Sequence, residues 1–334
     1  MVNYLFRRII YAFVLIFVVS MITFAIIKAP AGDFASSYIA SMSSSISPER
    51  RQEIMQSLRK RYGLGKPIYV QYFSWLKGII TKGDFGISMK WNMPVRRLIL
   101  QRLPLTLGIG LITLTSQFIL AIPIGIYSAV KKHTIADYIF TFAAFIGKSI
   151  PNFLLAIVVM VFLFNFFDIS IGGLFSQKYQ EAAWSFAKLL DLLKHLVVVV
   201  VVVGTAYAAS TVRILRATML DELGKDYMRT ARSKGLPEWK AVLKYAARVA
   251  LNPIIARVGW VLPRIISGSL IVSLVINIPT TGPLLYQALM SQDMYLAGAI
   301  LLLLSTFTIF GTIVSDLLLA MSDPRITYEG EERG

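Results

Sequence analysis

Cysteine is absent from the 334-residue chain, and histidine occurs only twice. The lack of cysteine excludes disulfides, iron–sulfur clusters and thiolate zinc sites. Two isolated histidines argue against a metal site built from protein ligands alone. Charged residues are also scarce, at 16% against roughly 25% in soluble domains. Since 56% of the residues are hydrophobic and the mean hydropathy is +0.66, the composition places the chain among integral membrane proteins.

Sequence signatures of bond chemistry are absent as well. The chain has no Walker A glycine loop, no metal-ligand cluster, no Ser-His-Asp arrangement and no paired carboxylates in apolar surroundings. We therefore expect no enzyme activity and no cofactor in this chain. A transporter without its own nucleotide site needs an ion gradient or a partner that hydrolyses ATP. Secondary transporters, which use an ion gradient, commonly contain internal repeats. The lack of a visible repeat therefore argues modestly against this class of transporter.

Six apolar stretches are long enough, or nearly so, to cross a bilayer as helices. They cover residues 9–27, 103–130, 138–167, 196–211, 254–278 and 296–321. These stretches predict an all-α integral membrane protein with six transmembrane helices. Pro104 is expected to begin the second helix, and Pro123 to kink it. The first stretch could be a cleaved signal peptide, but its length favours a retained helix.

Basic residues set the expected topology. Lysine and arginine outnumber aspartate and glutamate by 34 to 18. Arg7-Arg8, Lys131-Lys132 and segment 213–248 fall on one side of a six-span chain, and the last carries nine bases and four acids. The positive-inside rule then puts this side and both termini in the cytoplasm of a cell-membrane protein. Three regions result: a first helix at 1–30, an extracytoplasmic insertion at 31–101, and a five-helix core at 102–334 with a cytoplasmic loop at 213–253.

The insertion contains one well-marked helix and one aromatic cluster. Ser47-Pro48-Glu49 is typical of a helix N-terminus, and Gly63 would end that helix after Tyr62. The aromatic cluster is expected to pack rather than to stack on a ligand. Its members are Tyr69, Tyr72, Phe73, Trp75 and Leu76.

Segment 225–253 is a basic, helix-forming hairpin between two apolar stretches. Tyr227, Ala231 and Lys234 would share one face of its first helix, and Gly235 would end that helix. The second helix is expected to begin at Pro237 and to have an apolar side formed by Trp239, Val242 and Leu243. Such a hairpin could transmit force to the next span. Charge alone favours a plainer reading, in which the bases are positive-inside anchors on an amphipathic surface helix.

The same hairpin resembles the EAA loop of ABC-importer permeases, specifically the B-type subunit of the dipeptide, oligopeptide and nickel permeases. The similarity lies in Asp226-Tyr227-x-Arg229-Thr230-Ala231-Arg232-Ser233-Lys234-Gly235-Leu236, followed by Arg248-x-Ala250-Leu251-Asn252-Pro253. Further segments resemble this family in the same order: Gly63-Leu64-x-x-Pro67, Val70-Gln71-Tyr72, Trp75-Leu76, Gly83-Asp84-Phe85-Gly86-x-Ser88, Arg102-Leu103-Pro104-x-Thr106 and Asp323-Pro324-Arg325. Two sites depart from the family pattern. Pro279-Thr280-Thr281-Gly282 stands where the family usually has Pro-Gly-x-Gly, and Ser273 stands where relatives often carry a glutamate.

The resemblance implies a type I ABC-importer permease fold and a set of partners. They are a homologous second permease, two ATP-binding subunits that carry ATP and Mg, an extracytoplasmic substrate-binding protein and membrane lipid, with no nucleic acid. It also implies a coupling helix whose contact residues with an ATPase are Tyr227, Arg229, Thr230, Ala231, Lys234, Gly235 and Leu236. Residues 237–253 would carry the motion into the fifth span. The substrate could be a peptide, an oligosaccharide or a metal chelate.

Polar residues inside the apolar stretches are candidates for the translocation path. Lys148 and Arg264 lie within the third and fifth stretches, where a charge costs about 2.5–3.5 kcal/mol on translocon scales. With Gln117 and Asn152 they could line the path. Alternatively, each charge snorkels to the interface or pairs with the partner permease. Four acids near span ends are expected to be caps or surface charges: Asp137, Asp168, Asp191 and Asp316.

Two other functional classes stay open at this stage. One is a proton- or sodium-coupled carrier that acts alone, and the other is a membrane scaffold that transports nothing. Co-purification with an ATPase, or a neighbouring reading frame with a Walker A motif, would favour the ABC importer over both.

Overall fold

A computed structural model describes residues 2–29, 32–42 and 47–322, with the side chains of 2–6, 260–268, 320 and 322 outside the description. The described residues are almost entirely helical, and their one β-type contact is a bridge between Ile87 and Pro94. The helices are α1 Val2–Lys28, α2 Phe34–Ala40, α3 Pro48–Tyr62, α4 Ile68–Lys82, α5 Val95–Val130, α6 Ile135–Ser149, α7 Asn152–Phe167, α8 Phe186–Leu223, α9 Asp226–Ser233, α10 Glu238–Ala241, α11 Ala247–Ala250, α12 Asn252–Val275, α13 Thr281–Met290 and α14 Met294–Ser322. The predicted Asp323-Pro324-Arg325 motif lies outside the described residues.

Helices of membrane-spanning character are present, as the composition predicts. Among the described residues, three helical segments are long and apolar enough to cross a bilayer: Arg7–Lys28, Val95–Val130 and Met294–Leu319. Helices α6 and α7 meet this test together, but they are bent by 105° at the break between them. Length and composition of the helices thus support an all-helical membrane protein with three or four spans, and the count of six stays a prediction.

Proline positions explain two differences from the expected spans. The third stretch is not one helix, because Pro151 separates α6 from α7. The preceding Ile150 has ψ 124°, an extended value, and a residue before proline disfavours the α region. Pro104 does not begin a helix, so that prediction is wrong. It lies inside α5, which starts at Val95 directly after Pro94 of the bridge.

The chain divides into two compact units, and one of them comprises residues 2–106 and 279–307. In this unit α4 packs on α1, where the Tyr72 hydroxyl and Ser20 Oγ are 2.7 Å apart. The Trp75 indole N–H donates to the Phe85 carbonyl at 3.1 Å. Both aromatic rings are buried, which confirms their packing role, whereas Tyr69 and Phe73 are exposed.

Two sequence features of this unit take clear structural form. Helix α3 runs from Pro48 to Tyr62 and ends at Gly63 with φ +63°, as predicted. Residues 279–282, which depart from the family pattern, include the first residues of helix α13. The Thr281 N–H at the start of this helix donates to Thr106 Oγ1 at 2.9 Å. Segment 279–282 therefore forms the buried start of a helix.

The second unit comprises residues 107–278 and 308–322 of the described chain. Helix α8 is its centre and packs against α6, α7, α11 and α12. Backbones of α12 and α14 approach closely at Gly259 and Gly311, where a Cβ on Gly259 would lie 2.3 Å from the Gly311 carbonyl oxygen. Small residues permit such close helix contacts in membranes. This unit contains the hairpin and the predicted path residues.

Candidate functional site

The turn at Gly235 ends α9 in a Schellman motif. Gly235 N–H donates to the Arg232 carbonyl at 2.9 Å, and Leu236 N–H donates to the Ala231 carbonyl at 3.3 Å. Gly235 has φ +73°, and an added Cβ would meet nothing within 4 Å. Glycine is therefore required here by backbone conformation and not by lack of space. This part of the hairpin prediction is confirmed.

One side of α9 is embedded in the second unit. Met228 and Ala231 are buried in a cluster with Leu215 and Met219 of α8, and Tyr227 and Leu236 pack at its edge. Other members of this cluster come from α5, α10, α11 and the start of α12; they include Ala129, Ala241, Ala247, Ala250 and Ile254. The predicted face is thus split, because Tyr227 and Ala231 turn inward whereas Lys234 is exposed.

Glu222 holds the hairpin from the end of α8. This buried carboxylate accepts a hydrogen bond from the Tyr227 hydroxyl and one from Lys225 Nζ at 2.6 Å. Burial first, and the bond to Glu222 second, raise the pKa of Tyr227 above its ordinary 10.0. The phenol is therefore a donor at every physiological pH. Sequence reasoning missed Glu222, because neighbouring Asp221 and Asp226 give no sequence signal for which of the three acids meets Tyr227.

The opposite side of α9 is an exposed, basic surface. Arg229, Thr230, Lys234 and Gly235 of the predicted contact set are all exposed. Next to them Arg232 forms a bidentate pair with Glu238 across the turn, at 3.0 and 2.7 Å. This hydrogen-bonded guanidinium holds the pKa of Glu238 below its usual 4.5. The pair links α9 to α10 across the turn, and Arg229 and Lys234 are exposed beside it.

The second arm of the hairpin differs from its predicted form. Val242 is buried, but Trp239 and Leu243 are 62% and 55% exposed, so the predicted apolar side is wrong. Residues Val242–Ala246 form a π-helical turn between α10 and α11. Since a π turn adds a residue, it rotates the helix register, and the buried side becomes an alanine-rich stripe. Its members are Ala241, Ala246, Ala247 and Ala250.

Polar side chains of α8 join this helix to α11 and to α6. Thr218 Oγ1 of α8 donates to the Ala250 carbonyl at 3.1 Å. Arg216 donates from Nε and Nη2 to the two carboxylate oxygens of Asp137 at 2.7 Å each, and Asp137 is 1% exposed. Asp137 is thus a buried ion-pair partner that links α6 to α8, and not a surface charge. Asp191 is also buried and accepts two bonds from Ser176.

The predicted path residues lie in different surroundings. Gln117 is 1% exposed, inside the second unit. Lys148 is exposed at the end of α6, and Asn152 is half-buried at the start of α7, so these two flank the 105° bend. The side chain of Arg264 lies outside the described residues. Within the described part, no hydrogen bond joins Gln117 to either of the other two.

Comparison with known proteins shows the family of this chain. The model of the binding-protein-dependent transport system inner membrane component matches residues 121–328, and the model of the N-terminal part of such components matches residues 1–110. The chain belongs to this family. It is similar to the oligopeptide transport system permease protein AppB of Bacillus subtilis, with 33% identity over 98% of this chain and all of AppB.

Two further relatives come from Escherichia coli K12. The permease is 30% identical to the oligopeptide transport system permease protein OppB over 98% of this chain and all of OppB. It is 28% identical to the dipeptide transport system permease protein DppB over 93% of this chain and 94% of DppB. The resemblance to the ABC-importer permeases is therefore confirmed. The chain is a multi-pass membrane transport component of a binding-protein-dependent system.

Proposed function

We propose that this permease forms half of the translocation path of an ATP-driven importer for peptides. Its relatives are named for oligopeptide or dipeptide transport. It would pair with a homologous permease, receive substrate from an extracytoplasmic binding protein, and draw its energy from two ATP-binding subunits that hold ATP and Mg.

The two-sided structure of α9 carries the coupling part of this proposal. Its outer side presents Arg229, Thr230 and Lys234 to a partner, while Met228 and Ala231 lock its inner side into the core. A partner that pulls on the outer side must move the core with it. The exposed Trp239 and Leu243 extend the contact surface, since aromatic and apolar anchors are favoured in interfaces.

The proposed topology has six spans, with both termini and the hairpin in the cytoplasm. In addition to the three spans of clear length and composition, it uses the bent pair α6–α7, the valine-rich part of α8 and α12. Gln117, Lys148, Asn152 and Arg264 are retained as proposed path residues. For Lys148 and Asn152 the support is their position at a helix break, where backbone groups are accommodated only next to protein or a water-filled cavity.

Replacement of Gly235 by valine tests the coupling role. The left-handed backbone costs a residue with a Cβ about 1–2 kcal/mol, and more for a β-branched one. The turn would open and the outer surface of α9 would shift. In vesicles with the complete transporter, we expect ATP hydrolysis to continue while peptide uptake per ATP falls several-fold.

Gly224 provides the matched control in the same hairpin. Its φ is −83° and its nearest atoms lie at ordinary contact distance, so Gly224→Ala should leave uptake per ATP unchanged. Gly235→Asn should retain most of the coupling, since asparagine tolerates the left-handed region. Wild-type coupling in the valine variant would contradict the proposed role of this turn.

A further inference from the structure

Gln117 is a buried amide in an intramembrane position without a protein partner. It is 1% exposed, and neither its amide nitrogen nor its amide oxygen makes a hydrogen bond within the described residues. A buried amide left unpaired is costly. In native proteins a buried polar group without a partner needs an explanation, and a bound molecule that completes its hydrogen bonds is one. An amide offers one donor group and one acceptor side by side, and this matches a peptide bond.

Gln117 lies between two cavities of the second unit. The larger is an apolar groove of about 290 Å³ between α5, α6 and α8. Its walls include Leu120, Ala143, Val201 and Gly204. Small-molecule sites usually measure about 300–1,000 Å³, so the groove suits one apolar side chain better than a whole oligopeptide.

The second cavity is a narrow, mostly apolar cleft that Gln117 also lines, together with a few polar side chains. It measures about 20 Å³ and is lined by Tyr207, Ser210 and Arg257, among others. Such a cleft has room for about one water molecule. Arg257 is half-buried and has no ion-pair partner among the described residues. A positive charge is therefore available close to the amide, either directly or through one water.

Together these three features match the carboxyl end of a peptide with an apolar last residue. We propose that Gln117, the groove and Arg257 form a subsite of the translocation path that selects such substrates. The last side chain occupies the groove, Gln117 pairs with the last peptide bond, and Arg257 attracts the terminal carboxylate directly or through one water molecule, for which the cleft has room. This inference rests on the proposed transport of peptides and narrows its substrate class.

Uptake of three short peptides tests the subsite: Ala-Ala-Leu, its carboxamide, and Ala-Ala-Ser. Saturating amounts of peptide-loaded binding protein remove the preference of that protein from the comparison. We expect the wild type to prefer the leucine acid over its amide about tenfold, as for one charge-assisted interaction. Arg257→Gln should reduce this ratio to about one. Ala143→Phe, at an exposed wall of the groove, should abolish the preference for leucine over serine.

The control is Lys132→Gln, which removes an exposed cation in the turn after α5 and should keep both ratios. If Arg257→Gln does not assemble, Arg257→Met tests the same ratio, because methionine removes the charge and keeps a long flexible side chain. Unchanged ratios in the Arg257 and Ala143 variants would overturn the subsite while leaving the proposed function intact. Altered retention of co-purified lipid with unchanged ratios would assign the groove to an acyl chain instead. A wild type that imports none of the peptides would overturn the proposed function itself.

Discussion

The pair of Arg216 and Asp137 gives the sharpest test of how the second unit is held together. Asp137 is buried and accepts four hydrogen bonds: two from Arg216 at 2.7 Å, one from the His133 N–H at 3.0 Å, and one from Thr141 Oγ1 at 3.3 Å. Arg216→Gln removes the two shortest and leaves the carboxylate charged and buried. Loss of one partner of a buried pair costs about 3–5 kcal/mol.

Thermal unfolding of the purified transporter in detergent measures this cost. At about 2–4 °C per kcal/mol for chains of this order of size, we expect Arg216→Gln to lower the Tm by roughly 6–20 °C. The double variant with Asp137→Asn should recover most of this loss, since it leaves no charge in the buried position.

Arg213→Gln is the matched control, three residues earlier on α8. Arg213 is exposed and stacks on the Phe145 ring at 4.6 Å, a contact worth about 0.5–1 kcal/mol at exposed sites. Equal Tm losses in the two single variants would refute the reasoning. The reasoning would also be refuted if the Tm loss of the Arg216→Gln/Asp137→Asn double variant equalled the sum of the losses of Arg216→Gln alone and Asp137→Asn alone, because a coupled pair is not additive.

Three further predictions concern the hairpin and the core. Glu222→Gln should lower the local stability of α9 by about 1.5–3 kcal/mol, measured as faster amide hydrogen exchange. A double-mutant cycle with Tyr227→Phe should show that the two changes are coupled, and additive losses would count against the hydrogen bond between these residues. Glu238→Gln should cost less than about 1 kcal/mol because its ion pair is exposed. The folded pKa of Glu238 is depressed, so the stabilisation by the pair is present above about pH 4.5 and is lost as the pH falls below that value. Between about pH 6 and 8 this pair should therefore cause no change in the amide hydrogen exchange of α9. Gly259→Ala should sharply lower the yield of folded transporter, because the added Cβ would overlap the backbone of α14. The control Gly108→Ala should not lower the yield, since Gly108 has open space around it. Equal yields of the two variants would refute the close approach of α12 and α14.

Local chain chemistry made the helix ends predictable. Gly63 and Gly235 each end a helix in the left-handed region, and Ser47-Pro48 begins one, as their sequence context indicates. These features depend only on neighbouring residues, so one sequence is sufficient to find them. The two prolines show the limit of this approach. Pro151 separates α6 from α7, whereas Pro104 is accommodated inside α5.

Contacts between distant segments were not predictable in the same way. The Glu222 bonds, the Asp137 pair and the burial of the alanine stripe in α10 and α11 depend on which helices come together. The π turn at 242–246 is a further case, because it shifts the helix register of the arm without a sequence signal, and Leu243 is exposed while Ala246 and Ala247 are buried. Gln117 was chosen as a polar residue in an apolar stretch. Its significance comes from two cavities that only the packing of α5, α6, α8 and α12 creates.

The packing of the hairpin also alters how force would travel from an ATPase. Sequence continuity suggests a single route along the chain into α12. The buried cluster instead joins Met228 and Ala231 to side chains of α5 and α8 as well as to Ile254 of α12. Closely packed interiors transmit displacement to every contacting element. A pull on α9 would therefore move three helices together, and two of them, α5 and α8, form walls of the groove next to Gln117. Ala231 is buried in this cluster, so a larger side chain there would push α9 away from the helices on which it packs.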